Sequence, residues 1–262
     1  MDVTADDHGS CVWSPLGDRL SGLGASVSTG TRVDSVEPGP DGWRVWAGAT
    51  HADARHVILA VDPAALRRIG GLPAPLAGQV ATLTVAAPYA VARFWTDRPV
   101  RVNRPVFSGV SREATVDSIT LYSRLEDGAR QWAGRTGGEV IELHAYAAPD
   151  GIGADEAADR MWAELGGLWP EVRGLRVLDR ETRVGHDAPG FPPGSDATRP
   201  GVRTGVPGLL LAGDWVALPW ASALMERAAT TGVLAACDVL TAAGARAEPV
   251  TAIRPYGLLR RS

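Results

Sequence analysis

The stretch from Val206 to Leu240, VPGLLLAGDWVALPWASALMERAATTGVLAACDVL, constrains the fold of this chain more than any other. Leu209, Leu210, Leu211 and Ala212 form an apolar run closed off by Gly208 and Gly213, which has the length and composition of a strand buried on both faces of a parallel sheet. Asp214 ends the run. In doubly wound α/β sheets, ligands bind outside the carboxyl ends of the strands, where a carboxylate meets ligand hydroxyls and the next helix presents its N-terminus. Ser222 is the expected N-cap of that helix, and Ala228, Ala229, Gly232, Ala235 and Ala236 keep one side of it thin enough for close backbone approach. A membrane span over the same residues is excluded. Asp214 would stand inside the bilayer at a cost of about 3 kcal/mol, Pro207 and Pro219 interrupt a helix, and the glycines bracket a strand-length run.

The rest of the chain supplies the elements that such a strand needs around it. Ser14 and Pro15 read as an N-cap and first helical residue, with Leu16, Leu20 and Leu23 at helical spacing before Gly24. Val33 and Val36 precede a PGPDG turn, and Trp43, Val45 and His51 follow it, which predicts a hairpin. His56 to Pro63, HVILAVDP, is a second buried strand ended by Asp-Pro. Strands are then expected in PYAVARFWTDRPV, TVDSITLYSRL, EVIELHAYA and LRVLDRETRV, with helices over 125–132 and 155–168. Ala158, Met161, Leu165 and Leu168 stripe the second of these helices as a core face. HDAPGFPPGSDATRPGV, rich in proline, reads as an ordered crossover.

Several chemistries are set aside. A net charge of -4 gives no reason to expect nucleic acid. Every basic side chain is arginine, which removes Schiff-base chemistry. His8, His51, His56, His144 and His186 lack metal-ligand spacing, so no metal is expected. Cys11 and Cys237 are isolated thiols, and the polar N-terminus has no secretory pattern; both fit a cytoplasmic protein. Gly151 to Glu156, GIGADE, imitates a dinucleotide fingerprint, but Glu156 replaces the third glycine, and Asp155 and Glu156 read as complements to a helix dipole. His186 and Asp187 read as a solvated turn pair rather than an acid or base, while Glu226 stands equally well as a dipole complement or as a group near a ligand.

At AGDW, ALMERAATTG and the tail RPYGLL (Arg254 to Leu259), the chain resembles the C-terminal signature of FAD-dependent carotene desaturases and amine oxidases. It is most similar to the isorenieratene synthase group, desaturases that aromatise a carotenoid ring. The resemblance implies an α/β fold, α+β overall, built from an incomplete doubly wound FAD-binding domain and an inserted mixed-sheet substrate domain. Residues 1–71 would be the middle of the FAD domain, 72–204 the substrate domain, and 205–262 the last strand and helix of the FAD domain. It implies FAD as cofactor. Asp214, flanked by Gly213 and Trp215, would bind the ribityl chain or pyrophosphate, the backbone around Met225 would face the isoalloxazine, and Val33 would meet the adenine through its backbone. The catalytic residues stay unassigned.

No G-x-G-x-x-G opens the chain, whereas members of this family begin with a strand, that glycine turn and a helix. The residues present resemble the C-terminal half of such a protein: a truncated frame, one half of a split enzyme, or a remnant. Loss of the phosphate-cradling loop removes charge-assisted hydrogen bonds of about 1.5 to 3 kcal/mol each, so tight FAD binding is expected only with a complementing segment. The partners implied are an apolar carotenoid, a polypeptide carrying the N-terminal half, and a membrane surface contacted peripherally. The alternatives are a broader amine oxidase or phytoene desaturase activity, or a non-catalytic subunit.

Overall fold

The structure, a computed structural model, describes residues 4–111 and 113–252. The RPYGLL tail lies outside the described residues. In chain order the elements are α1 (Ser14–Gly22), β1 (Ser35–Gly39), β2 (Gly42–Ala47), β3 (Thr50–Ala54), β4 (Val57–Leu59), α2 (Pro63–Leu66), α3 (Ala74–Thr82), β5 (Tyr89–Thr96), β6 (Phe107–Gly109), β7 (Ser118–Leu121), α4 (Asp127–Thr136), β8 (Glu139–Ala145), α5 (Ala154–Leu168), β9 (Val177–Gly185), β10 (Leu209–Leu211) and α6 (Leu224–Ala242).

They form two compact units, each made of two chain segments: 4–29 with Ala87–His186, and Gly30–Ala86 with 187–252. These limits differ from the divisions after residues 71 and 204 expected from the sequence, and packing explains why. Leu76 and Val80 of α3, with Leu83 beyond it, join Val36, Leu59, Leu66, Leu209, Leu211 and Trp215 in one buried cluster, so residues 72–86 pack with the strands before them. The crossover is tied back to the same unit by Ala86 N–H to Ala188 O (2.9 Å) and Gly190 N–H to Thr84 O (2.8 Å). Near the N-terminus, Asp127 N–H donates to Ala5 O at 2.7 Å within the other unit.

In the unit of Gly30–Ala86 and 187–252, β10 pairs in parallel with β4, Leu209 opposite Val57 and Leu211 opposite Leu59. All three β10 side chains are buried, as the uninterrupted apolar run requires. Gly208 starts the strand at φ +74°, where an added Cβ would lie 2.6 Å from the Arg55 carbonyl oxygen. Asp62 caps α2, its carboxylate accepting from Ala65 N–H at 2.8 Å, which explains why the second strand ends in Asp-Pro. The predicted hairpin gains a third strand. β1, β2 and β3 form an antiparallel meander, because the chain turns again at Gly48, which sits at φ +59°.

The unit of 4–29 and Ala87–His186 is built on a five-stranded sheet in the order β6-β7-β8-β5-β9, with α5 against β5 and β9. The expectation of a mixed sheet is corrected here: every neighbouring pair of these strands is antiparallel. β8, α5 and β9 do form a crossover, but β5 occupies the place between β8 and β9 and runs against both. Ala157, Ala158, Met161 and Leu165 are buried against Ala90, Ala92, Phe94, Ile141 and Leu143, close to the stripe read from the sequence. Asp155 and Glu156 in the first turn of α5 are answered by Arg180 (2.9 Å) and Arg160 (2.5 Å), which makes them helix-terminus charges. α1 differs from its expected role. Its N-cap is Trp13 rather than Ser14, and Leu16, Leu20 and Leu23 are all exposed.

Candidate functional site

The carboxyl end of β10 is where the sequence placed a ligand, and its geometry is set by four groups. Gly213 follows the strand at φ +145°, and a Cβ there would stand 2.7 Å from the Trp215 indole nitrogen. Trp215 itself is 1% exposed and donates from Nε1 to Val61 O at 2.8 Å, so its ring is a core side chain. Burial pushes the Asp214 carboxyl up; hydrogen bonds from its own N–H and that of Trp215, with the Arg227 charge, pull it back only in part. Thr231 of α6 fixes helix to strand. Its hydroxyl accepts from Gly213 N–H at 2.9 Å and lies 3.1 Å from Gly213 O.

α6 begins in a strained conformation. Leu224 has φ +52°, an uncommon value for a branched side chain, and its side chain is 76% exposed. This turn moves the N-cap to Ala223. Ser222 is therefore not the cap that the sequence suggested, and its hydroxyl is buried without a hydrogen-bond partner among the described residues. Met225 is exposed in the first turn, beside Glu226. A cleft of about 680 Å³ opens here, lined by Arg199, Trp220, Ser222, Glu226 and Arg227 among others. Arg227 connects this cleft to the strand end, its Nη1 donating to the Asp214 main-chain oxygen at 3.4 Å. Gly213, Asp214 and Trp215 directly follow β10, and Met225 stands in the first turn of α6. None of these four lines the cleft, and neither does Val33, two residues ahead of β1 in the same unit.

The sheet unit carries a polar network that the sequence reading did not assemble. Arg93 on β5 stands opposite Glu142 on β8 and binds its carboxylate at 2.8 Å. The same carboxylate meets His144 Nε2 at 2.8 Å, and His144 Nδ1 lies 3.3 Å from the Tyr146 hydroxyl. Burial opposes the Glu142 charge, but His144 and Arg93 outweigh it and hold the carboxyl below its ordinary value. The Arg93 guanidinium covers the Tyr122 ring at 4.2 Å, and burial followed by the Glu142 charge pushes that phenol up. Alternation along β5 was the available signal: it puts Arg93 on one face with Val91 and Trp95, and E-L-H on β8 puts Glu142 and His144 on one face.

A parallel strand ending in Gly-Asp and fastened to a long helix is the arrangement in which open α/β sheets bind ligands beyond the carboxyl ends of their strands, here in a chain that also builds a separate antiparallel sheet. Residues 7–240 match the flavin-containing amine oxidoreductases, and the chain belongs to that family. Membership in a flavin-containing family supports FAD as the cofactor. The chain is 38% identical over 275 residues to the carotenoid phi-ring synthase of Streptomyces griseus, covering 100% of this chain and 52% of that protein. It is 39% identical over 184 residues to the carotenoid phi-ring synthase of Chlorobaculum tepidum, over 70% of this chain and 28% of the other. It therefore spans about half the length, or less, of these curated relatives. Among solved structures, an oxidoreductase from Methanosarcina mazei superposes with TM-score 0.62 at 21% identity, covering 87% of this chain and 54% of that one. Putrescine oxidase bound to putrescine gives TM-score 0.63 at 15% identity, over 88% and 53%. These likenesses show the fold, that of FAD-dependent amine oxidases. No helix among the described residues is long and apolar enough to cross a membrane.

Proposed function

We propose that this chain is the C-terminal portion of a FAD-dependent oxidoreductase that desaturates and aromatises a β-ionone ring of a carotenoid. The observation that carries this reading is the Gly213–Asp214 strand end fastened to α6 by Thr231, in a chain of the flavin-containing amine oxidoreductase family. The two phi-ring synthases supply the substrate class. The residues present fit the cofactor. Asp214 offers acceptors for ribityl hydroxyls, the first turn of α6 offers N–H groups beside Met225, and Ser222 and Arg227 hold buried donors with no partner among the described residues. Val33 would meet the adenine through its main chain. Gly213 and Trp215 would contact the cofactor through main-chain atoms, since the Trp215 indole is committed to the core.

FAD, when bound, supplies the two-electron acceptor. This chain's part is to orient it at α6, with Asp214 accepting hydrogen bonds and α6 directing its positive end at the ring system. In this reading Gly30–Ala86 and 187–252 belong to the FAD-binding part, and the sheet unit is the inserted substrate part. Trp13, Leu16, Leu20 and Leu23, exposed on and beside α1, support contact with an apolar partner, in line with a carotenoid or a membrane surface met peripherally.

The test is expression in a β-carotene-producing host together with a polypeptide carrying the N-terminal strand and glycine turn. Aryl carotenoids are expected; unchanged β-carotene rejects the substrate assignment. In the same complemented protein, Asp214→Ala weakens FAD binding about tenfold or more, which corresponds to about 1.4 kcal/mol. Asp187→Ala leaves it unchanged, and equal losses from the two substitutions would remove Asp214 from the cofactor site.

A further inference from the structure

The cleft at the start of α6 holds two arginines whose charges the protein leaves largely unanswered. Arg199 follows a short 3-10 turn, Ser195–Ala197, and its side chain is only 6% exposed. One guanidinium nitrogen meets the Asp196 carboxylate, which is itself 86% exposed, while Nε and Nη1 are buried with no partner among the described residues. Arg227 gives Nη1 to the Asp214 main-chain oxygen, and its Nε is also buried without a partner among the described residues. Both guanidinium carbons lie over one ring, Phe191, at 4.7 Å and 5.1 Å from its centroid. Burial, with the Arg227 charge second, pushes Arg199 down from its ordinary value. The Ser222 hydroxyl is the third orphan, and Glu226 also lines the cleft.

Buried charged donors left unbonded are costly, and two like charges sharing a phenyl ring add to that cost. A ligand that relieves both must be anionic and must offer several acceptor oxygens at once. The free donors are Arg199 Nε and Nη1, Arg227 Nε and Ser222 Oγ, four sites around two positive charges. A carboxylate brings two oxygens and one negative charge. A phosphate brings three or more oxygens and close to two charges, which matches the set. The cleft, at about 680 Å³, admits a group of that size.

We propose that Arg199, Arg227 and Ser222, at the N-terminus of α6, form a binding site for a phosphate or pyrophosphate group. The site takes up the Ser222 and Arg227 donors that the flavin reading also uses, so it rests on that reading where the group comes from a dinucleotide and goes beyond it where the group comes from a free phosphate compound. The two arginines bind the oxyanion through paired guanidinium hydrogen bonds on the side of the cleft away from the Asp196–Arg199 contact, Glu226 being the other carboxylate in the lining, and both arginines stack on Phe191.

The experiment uses the purified 262-residue chain in phosphate-free buffer at constant ionic strength. Inorganic pyrophosphate is titrated by calorimetry, with a parallel thermal-shift series. Saturable binding is expected, weakened tenfold or more in Arg199→Gln and in Arg227→Gln, a few-fold in Ser222→Ala, and unchanged in the exposed control Arg246→Gln. No binding at millimolar pyrophosphate to folded chain overturns the proposal, as does equal affinity in Arg199→Gln and Arg246→Gln. Phenylglyoxal labelling of the unmodified sequence, read by mass spectrometry, covers the case of a variant that fails to fold: pyrophosphate protects Arg199 and Arg227 if the site exists, and absence of protection overturns it. Further titrations with FAD, ADP, orthophosphate and riboflavin identify the source. Tighter binding of FAD than of pyrophosphate, lost in the same variants, assigns the site to a dinucleotide; pyrophosphate or orthophosphate binding at least as tight as FAD assigns it to a free phosphate compound; riboflavin binding as tight as pyrophosphate overturns phosphate as the recognised group.

Discussion

Thr231 Oγ1 lies 2.9 Å from Gly213 N and 3.1 Å from Gly213 O, so one hydroxyl spans both polar groups of the residue that ends β10. It also stands 2.9 Å from Arg227 O and 3.0 Å from Ala228 O. A hydroxyl has one proton, so it donates to one of these carbonyls at a time while accepting from Gly213 N–H throughout. Thr231→Val keeps the shape and leaves that buried N–H unpaired. A loss of about 1 to 3 kcal/mol in urea unfolding is expected, with Thr231→Ser recovering most of it.

Glycine substitutions in the two units should have opposite signs. Gly208→Ala puts a Cβ 2.6 Å from the Arg55 carbonyl oxygen at a φ of +74°, in a strand paired through Val57 N–H to Gly208 O at 2.7 Å. Backbone must move, and destabilisation of about 2 kcal/mol or more follows. Gly134, inside α4, has nothing within 4 Å of an added Cβ. Gly134→Ala should stabilise by about 0.5 to 1 kcal/mol, measured as a shift in denaturant midpoint at constant m.

The contrast between Gly208 and Ser222 shows what was legible in the sequence. Apolar runs, one bounded by glycines and one ended by Asp-Pro, gave β10 and β4, and helical spacing gave α5 with its buried Met161 and Leu165, because each pattern follows from local chain geometry. The N-cap of α6 was misplaced by one residue because Leu224 adopts a positive φ that no propensity anticipates. Thr231 was hidden among small helix residues; only the folded register shows that its hydroxyl faces Gly213. The pairing of Arg199 with Arg227 spans 28 positions and depends on where Phe191 sits, which no spacing rule contains. The sheet's order placed β5 between β8 and β9, a non-local choice that also decided that the sheet is antiparallel.

Acid stability should depend on Glu171. Arg104 binds its carboxylate through two contacts of 2.8 Å, and that hydrogen bonding lowers the carboxyl from 4.5 to about 2. A carboxylate with a depressed pKa in the folded state stabilises above its unfolded pKa and loses that contribution as pH falls toward the folded value. Wild-type stability should therefore decline between about pH 4.5 and about pH 2 more steeply than that of Glu171→Gln. Arg104→Gln should flatten the same slope. Its absolute stability also falls, because Arg104 lies over the Trp169 ring at 4.8 Å. Equal slopes in wild type and Glu171→Gln would show that the pair does not persist in solution.

The Arg93–Glu142 pair should separate the cost of breaking a buried ion pair from the worth of having one. Glu142 has only 8% of its side chain exposed and is held by Arg93 and His144, both at 2.8 Å. Removing it alone leaves Arg93, 29% exposed, against the Tyr122 ring with Glu126 at 3.9 Å as its remaining acid. Breaking a pair of this kind costs about 3 to 5 kcal/mol, since one charge stays without its counterion, whereas replacing both partners by apolar groups is often close to neutral. Glu142→Leu should accordingly lose about 3 kcal/mol, and Glu142→Leu with Arg93→Leu should regain at least half of that loss in a double-mutant cycle followed by urea unfolding. His144 shares the carboxylate, so Glu142→Leu also leaves the imidazole with only the Tyr146 hydroxyl, 3.3 Å away. Repeating the cycle in a His144→Leu background isolates the arginine contribution; a coupling energy near zero there would mean that the histidine, not Arg93, holds Glu142 in its charged form.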